Sequence, residues 1–458
     1  MGFEDALLAG LARDGGLYLP EAWPRLSPDA IAALAGKPFA EVATAVLEPF
    51  MGGAIPRPDL LALARDAYAR FGHPAVTPLI QIDRNLWILE LFHGPTLAFK
   101  DVAMQLVARL MDRVLAARGR RVIVVGATSG DTGGAAIEAF RGSKRVEAVV
   151  LFPQGRVSDV QRRMMTTATE ANVHAVAIEG TFDDCQALVK GMFNDLAFRD
   201  RVGLAGVNSI NWARVAAQIT YYFAAATALG APHRPVSFAV PTGNFGDILA
   251  GYAAKRMGLP IARLAIGTID NDILRRTWET GLYEVRGVMP TTSPSMDIQV
   301  SSNFERYLFE AGGRDAAWVR ARMGALAQSG RFELSGEVLR QLRADFDAAT
   351  ATRDEVAACI RRVKAASGYL LDPHTACGVV AAERPRTIAA TPHVVLATAS
   401  PAKFPDAIEA ITGERPALPP RLASLMTDPE RIAVLPNDLT AVQRFVAQRA
   451  AGPRGAAP

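Results

Sequence analysis

The sequence predicts an α/β protein built on parallel sheets covered by helices on both faces. Three observations lead there. From Leu86 onward the chain repeats a strand, a glycine-bearing loop and a helix. The strand-like runs are short, apolar and β-branched throughout, as strands buried on both faces are. The chain has 458 residues, half of them hydrophobic, which exceeds what one core usually serves, so two or three domains are expected.

Taken in order, residues 1–92 read as Ala/Leu-rich helical segments broken at Asp14-Gly15-Gly16, Lys37-Pro38 and Arg57-Pro58. The run 121–125 (RVIVV) enters a glycine loop, and the helix beyond it carries Ala135, Ala136, Ile137 and Phe140. Further strands are expected at 146–152, 173–178, 236–240, 264–266 and 394–396. The division expected is a mostly helical region at 1–92, α/β domains at 93–234 and 235–448, and a tail at 449–458. The tail is rich in Ala, Gly and Pro and is expected to be disordered. Residues 382–392 read as a connector.

Composition narrows the function classes. Lys plus Arg exceeds Asp plus Glu by only four, with no basic run, so no nucleic-acid footprint is expected. No stretch is apolar for long enough to span a bilayer. Acidic residues follow Met1 where a secretory signal would be basic. Cys185, Cys359 and Cys377 form no metal spacing, and an odd, low count suits a reducing compartment, hence a cytoplasmic protein.

Four segments carry chemistry. In His93-Gly94-Pro95-Thr96-Leu97-Ala98-Phe99-Lys100-Asp101 the chain turns from a strand into a helix. The helix has apolar positions Val102, Leu106, Val107, Leu110, Met111, Val114 and Leu115. Lys100 stands at its entrance in apolar company, where burial and the positive helix end disfavour the charged amine, as a Schiff-base lysine needs. A solvated lysine beside an N-cap aspartate is the plain alternative. The second segment, 126–133 (GATSGDTG), brings backbone N–H groups and hydroxyls to a helix start and so suits a carboxylate or phosphate. It lacks a P-loop lysine and the GxGxxG pattern. The third, 241–247 (PTGNFGD), has two glycines that admit a phosphate close to the backbone at a helix N-terminus, with Asp247 expected to cap the helix and point away. The fourth, 397–404 (ATASPAKF), places a hydroxyl at a strand end, where it can meet a ring nitrogen. Two anion loops, one apolar-set lysine and one strand-end hydroxyl are together the parts of a pyridoxal phosphate (PLP) site.

With those residues stands a resemblance. The order GLARDGGLYLP, HGPTLAFKD, GATSGDTGGAA, NSINWARV, PTGNFGD, SMDIQVSSNFERYLFE, LDPHTACG and ATASPAKFPD resembles the long-form threonine synthases, fold type II PLP enzymes, over nearly the whole chain. It departs at the start, where the family carries a further stretch with a Ser-Thr-Arg-Gly motif. The resemblance implies two parallel-sheet α/β domains with PLP in the cleft, and an enzyme converting O-phospho-L-homoserine and water to L-threonine and phosphate, as a monomer or homodimer. It implies Lys100 as the Schiff-base lysine, Gly243, Asn244, Phe245 and Gly246 as the phosphate cup, and Thr398 at the pyridine nitrogen. Thr128, Ser129 and Thr132 would take the substrate carboxylate. Arg306, Arg214 and Lys403, each inside a matched motif, are the cations expected at the substrate phosphate. Arg306 leads, because a guanidinium grips phosphate through two parallel bonds and Ser301-Ser302-Asn303 beside it could fill the remaining acceptors. Asn303 and His374 receive no role. The rival readings are a lyase or dehydratase of the same fold releasing 2-oxobutyrate, and a non-catalytic PLP-binding relative.

Overall fold

The computed structural model describes residues 1–384 and 391–450. The chain folds into two compact units, one made of Met1–Tyr18, Lys100–Arg214 and Leu418–Pro458, the other of Leu19–Phe99 and Val215–Ala417.

The first unit is built on a five-stranded parallel sheet in the order Ile432–Pro436, Val173–Glu179, Val146–Pro153, Val122–Ala127, Leu204–Ala205. Ile123, Val125, Val149, Leu151, Val176 and Ile178 bury one face against Cys185, Leu188, Val189 and Met192 of the helix Phe182–Asn194. Each such side chain removed from water contributes about 1.5–3 kcal/mol. The helix Lys100–Ala117 buries Val102, Leu106, Val107, Leu110, Met111, Val114 and Leu115, the stripe its spacing predicts.

The second unit holds a six-stranded sheet in the order Leu79–Asp83, Leu86–Glu90, His393–Ala397, Val236–Pro241, Ile261–Thr268, Phe346–Thr350. All neighbours are parallel except the edge hairpin of the first two strands. The helix Pro373–Glu383 lies so close to this sheet that a Cβ on Gly378 would meet Val395 Cγ1 at 2.7 Å. Leu282–Glu284 and Arg331–Glu333 form a separate two-stranded antiparallel ribbon.

The expected strands are all present, but the unit boundaries fall elsewhere than at 93 and 235. Two pairings move them. The strand Leu86–Glu90 joins the second unit's sheet beside His393–Ala397, which carries most of the helical region with it. The strand Ile432–Pro436 pairs with Val173–Glu179 and returns the chain's last segment to the first unit, where Val442 and Val446 of the helix Leu439–Ala450 enter the core. Of the expected tail, residues 451–458 lie outside the described residues, as do residues 385–390 of the connector.

Candidate active site

In the first unit, Lys100 opens its helix and its Nζ donates to Asp131 Oδ2 at 3.2 Å, the two side chains only 11% and 4% exposed. The amine expected in apolar company therefore has a carboxylate beside it. Asp131 opens the helix Asp131–Phe140, and its Oδ1 accepts from Gln161 Nε2 at 2.9 Å. In the loop between, Thr128 Oγ1 accepts from the N–H groups of Gly130 and Gly133, both at 2.9 Å. Thr128 thus shapes the loop, with one hydroxyl hydrogen left to donate. Ser129 and Thr132 are half-buried, and neither hydroxyl takes a partner among the described residues. Arg214 is buried, its Nη1 donates to Val207 O at 2.9 Å, and burial pushes its pKa down to about 10.

In the second unit, the glycine loop after the strand Val236–Pro241 leads into the helix Gly246–Arg256. Phe245 adopts a left-handed φ of 62° and turns its ring into a cluster with Phe304, Tyr307 and Phe346, so its contribution to a ligand is its backbone. The loop's acceptors are occupied from behind. Ser301 Oγ donates to Gly243 O at 2.6 Å, Asn303 N and Nδ2 donate to Asn244 O at 3.0 and 3.1 Å, and Ser302 Oγ donates to Asn244 Oδ1 at 3.1 Å. A Cβ on Gly243 would stand 2.8 Å from Ser295 O. With its carbonyls held in this way, the loop offers N–H donors at a helix start, which fits the phosphate of PLP.

Residues 301–306 back this loop: Ser301, Ser302 and Asn303 donate to Gly243 O, Asn244 Oδ1 and Asn244 O, and Arg306 Nη1 donates to Asn303 Oδ1. Arg306 is 1% exposed, and its burial pushes its pKa down to about 9, while burial pushes neighbouring Glu305 up to about 7. Asp247 is repositioned. The N-cap residue is Phe245, and the Asp247 carboxylate in the first turn accepts from the hydroxyls of Tyr221 and Tyr222. Burial first, then Asp247, holds both phenols well above their ordinary pKa.

Thr398 directly follows the strand His393–Ala397; its carbonyl accepts from Phe99 N at 2.9 Å, and its hydroxyl has no partner among the described residues. A neutral hydroxyl there fits a pyridine nitrogen. Lys403 is buried and donates to Thr96 O at 2.8 Å, within the segment that leads to Lys100. Sequence reading missed Asp131, Gln161 and the tyrosine pair, whose partners lie far away in the chain. It also left His374 without a role. This residue, buried at the start of the helix Pro373–Glu383, shares a 2.7 Å hydrogen bond with Asp372 through Nδ1. Among the described residues no three His, Cys, Asp or Glu side chains gather as a metal site.

Comparison with known proteins places these features in a lineage. Residues 1–68 match the family model "Threonine synthase N terminus", residues 71–399 match "Pyridoxal-phosphate dependent enzyme" and residues 375–446 match "Threonine synthase, C-terminal". The threonine synthase of Pseudomonas aeruginosa is 51% identical over 99% of this chain and 97% of its own. That of Methylobacillus glycogenes is 42% identical over 98% and 97%. Among solved structures, PLP-bound threonine synthase from Brucella melitensis aligns with a TM-score of 0.96 at 61% identity, covering 99% of this chain and 97% of that one. The yeast threonine synthase structure aligns with a TM-score of 0.93 at 38% identity, covering 98% and 96%.

Proposed function

The chain belongs to the threonine synthase family, and on that premise we propose how its own residues carry the reaction. It is a PLP-dependent lyase that converts O-phospho-L-homoserine and water to L-threonine and phosphate. Bound PLP supplies an electron sink for the carbon from which a proton is taken. The N–H groups of Gly243, Asn244, Phe245 and Gly246 would hold the cofactor phosphate, and the Thr398 hydroxyl would serve the ring nitrogen. A neutral partner does not lock that nitrogen in its protonated form, which suits elimination and replacement better than transamination.

Lys100 Nζ anchors the cofactor at rest and, once released, moves protons at the substrate α-carbon. The loop 128–132 receives the substrate carboxylate, with Ser129 and Thr132 donating and Thr128 keeping the loop in shape. Arg214 and Lys403 are the cations proposed for the substrate phosphate. Each commits a donor to a carbonyl, but a guanidinium has five donors and an ammonium three. Arg306 moves to a supporting role behind the cofactor loop. Among the described residues no helix is long and apolar enough to cross a membrane. The three cysteines are free and buried, which supports a reducing, cytoplasmic setting.

The observation that carries this reading is the glycine loop whose Gly243 and Asn244 carbonyls and Asn244 Oδ1 are engaged by residues 301–303. The test is incubation of the purified protein with phosphohomoserine, followed by amino-acid and keto-acid analysis. Threonine and phosphate in equal amounts are expected. Release of 2-oxobutyrate in place of threonine would overturn the reading.

A further inference from the structure

Lys100 must spend part of every turnover detached from the cofactor, and its amine then needs a fixed place from which to give and take protons. The neighbourhood of that amine contains a carboxylate that the roles above leave unused. Asp131 lies inside the loop meant for an anionic substrate group, where an unneutralised negative charge would oppose binding. Its two oxygens are directed differently. Oδ2 faces Lys100 Nζ at 3.2 Å, and Oδ1 accepts from Gln161 Nε2 at 2.9 Å. Gln161 is itself buried, and its Oε1 accepts from Ser158 Oγ at 3.0 Å. Ser158 in turn caps the helix Asp159–Thr166.

The backbone is shaped to admit this chain of contacts. Gly130, immediately before Asp131, has a φ of 144°, and a Cβ there would stand 2.5 to 2.7 Å from three atoms of the Gln161 amide. Any side chain at 130 would evict Gln161 and leave Asp131 without its inner anchor. A carboxylate held on one side by a buried amide presents its other oxygen in one place, and Lys100 is what it meets there.

We propose that Asp131 is the positioning residue that receives the Lys100 ammonium whenever the amine is not attached to the cofactor, and that Gln161 fixes Asp131 for that task. The pair serves two ends. It keeps the proton-carrying Nζ at one place, and it cancels the negative charge of Asp131 inside the substrate loop. The proposal rests on Lys100 being the cofactor lysine, and its test is chosen to separate the two ideas.

The full chain freed of PLP is labelled with trace acetic anhydride, and acetylation of Lys100 is compared by peptide mass spectrometry with that of the exposed Lys144 and Lys190. In the wild type, Lys100 is expected to label slowly. Asp131→Asn should accelerate it by about tenfold relative to both reference lysines, because the ammonium loses its counter-charge. Gln161→Leu should give a smaller increase, and it carries the test if Asp131→Asn does not fold. In the holoenzyme, Asp131→Asn should keep the full cofactor content while kcat falls by about a hundredfold and KM changes little; Asp131→Glu should recover part of the loss. Unchanged labelling of Lys100 in a folded Asp131→Asn protein would overturn the proposal, as would a raised KM with kcat intact. Failure of the underlying reading would appear separately, as borohydride fixing the cofactor on another lysine.

Discussion

Replacement of Arg306 by alanine distinguishes two roles for a deeply buried cation of the second unit. The guanidinium is 1% exposed and donates to Asn303 Oδ1, and Asn303 in turn makes two hydrogen bonds to the Asn244 carbonyl. Truncating one partner of a buried, charged hydrogen bond costs about 2–5 kcal/mol. In a unit of this size that corresponds to a fall in Tm of roughly 3–8 °C. The same loss releases the Asn303 side chain from Arg306 and loosens the loop proposed to cup the cofactor phosphate. If about 1.4–2.8 kcal/mol of the loss reaches the loop, the Kd for PLP rises roughly tenfold to a hundredfold. The assays are differential scanning fluorimetry on holoenzyme and fluorescence titration of cofactor-free protein with PLP. Arg306→Lys should fall between wild type and alanine, since a single ammonium can still reach one oxygen. A variant with wild-type Tm and PLP affinity but no turnover of phosphohomoserine would refute this reasoning and return Arg306 to the substrate phosphate.

Borohydride reduction of the yellow holoenzyme should fix the cofactor on the peptide containing Lys100 and on no other lysine, as read by mass spectrometry. Gly243→Ala should weaken PLP binding without unfolding the protein, because its Cβ would press within 2.8 Å of Ser295 O and shift the loop; unchanged affinity by titration would count against the cup. Glu305 gives a pH dependence. Burial pushes its folded pKa up to about 7, above its ordinary value near 4.5, so the folded state holds a proton that the unfolded chain releases. Its contribution to stability is therefore fully present below pH 4.5 and is lost as pH rises through 7. Glu305→Gln should flatten that part of the wild-type Tm profile, and an equally steep profile in the variant would assign the pH dependence to other groups.

Sequence patterns carried much of the architecture because local rules governed it. The runs 122–127, 146–153 and 236–241 are buried on both faces, so their apolar continuity showed in the residues themselves. The stripe from Val102 to Leu115 likewise followed from helical spacing alone. What stayed hidden depends on pairing across the chain. Ile432–Pro436 is an edge strand with Ile432 and Val434 exposed, so it lacks the buried signature and its partner lies some 250 residues earlier. In the site, the motif around Lys100 was legible, but its carboxylate partner was not, since Asp131 appears in the sequence as one more residue of a glycine loop. The contact of Arg306 with Asn303 stayed hidden for a related reason. A motif shows that a guanidinium stands near a phosphate loop but not which side of the loop it occupies.

The return of the last segment to the first unit bears on how the protein is made. Strand Val173–Glu179 leaves the ribosome long before residues 432–436 exist, so during synthesis its outer row of N–H and C=O groups faces solvent. An open, apolar strand edge is a template for adhesion to other chains. Translation of the second unit's longer piece, Val215–Ala417, falls inside that interval, which at roughly 5–20 residues per second lasts on the order of ten seconds or more. The nascent chain thus carries an unfinished edge until residues 432–436 emerge and pair with it. Arrival of the strand Ile432–Pro436, rather than completion of the stretch 100–214, is the event that seals the first sheet.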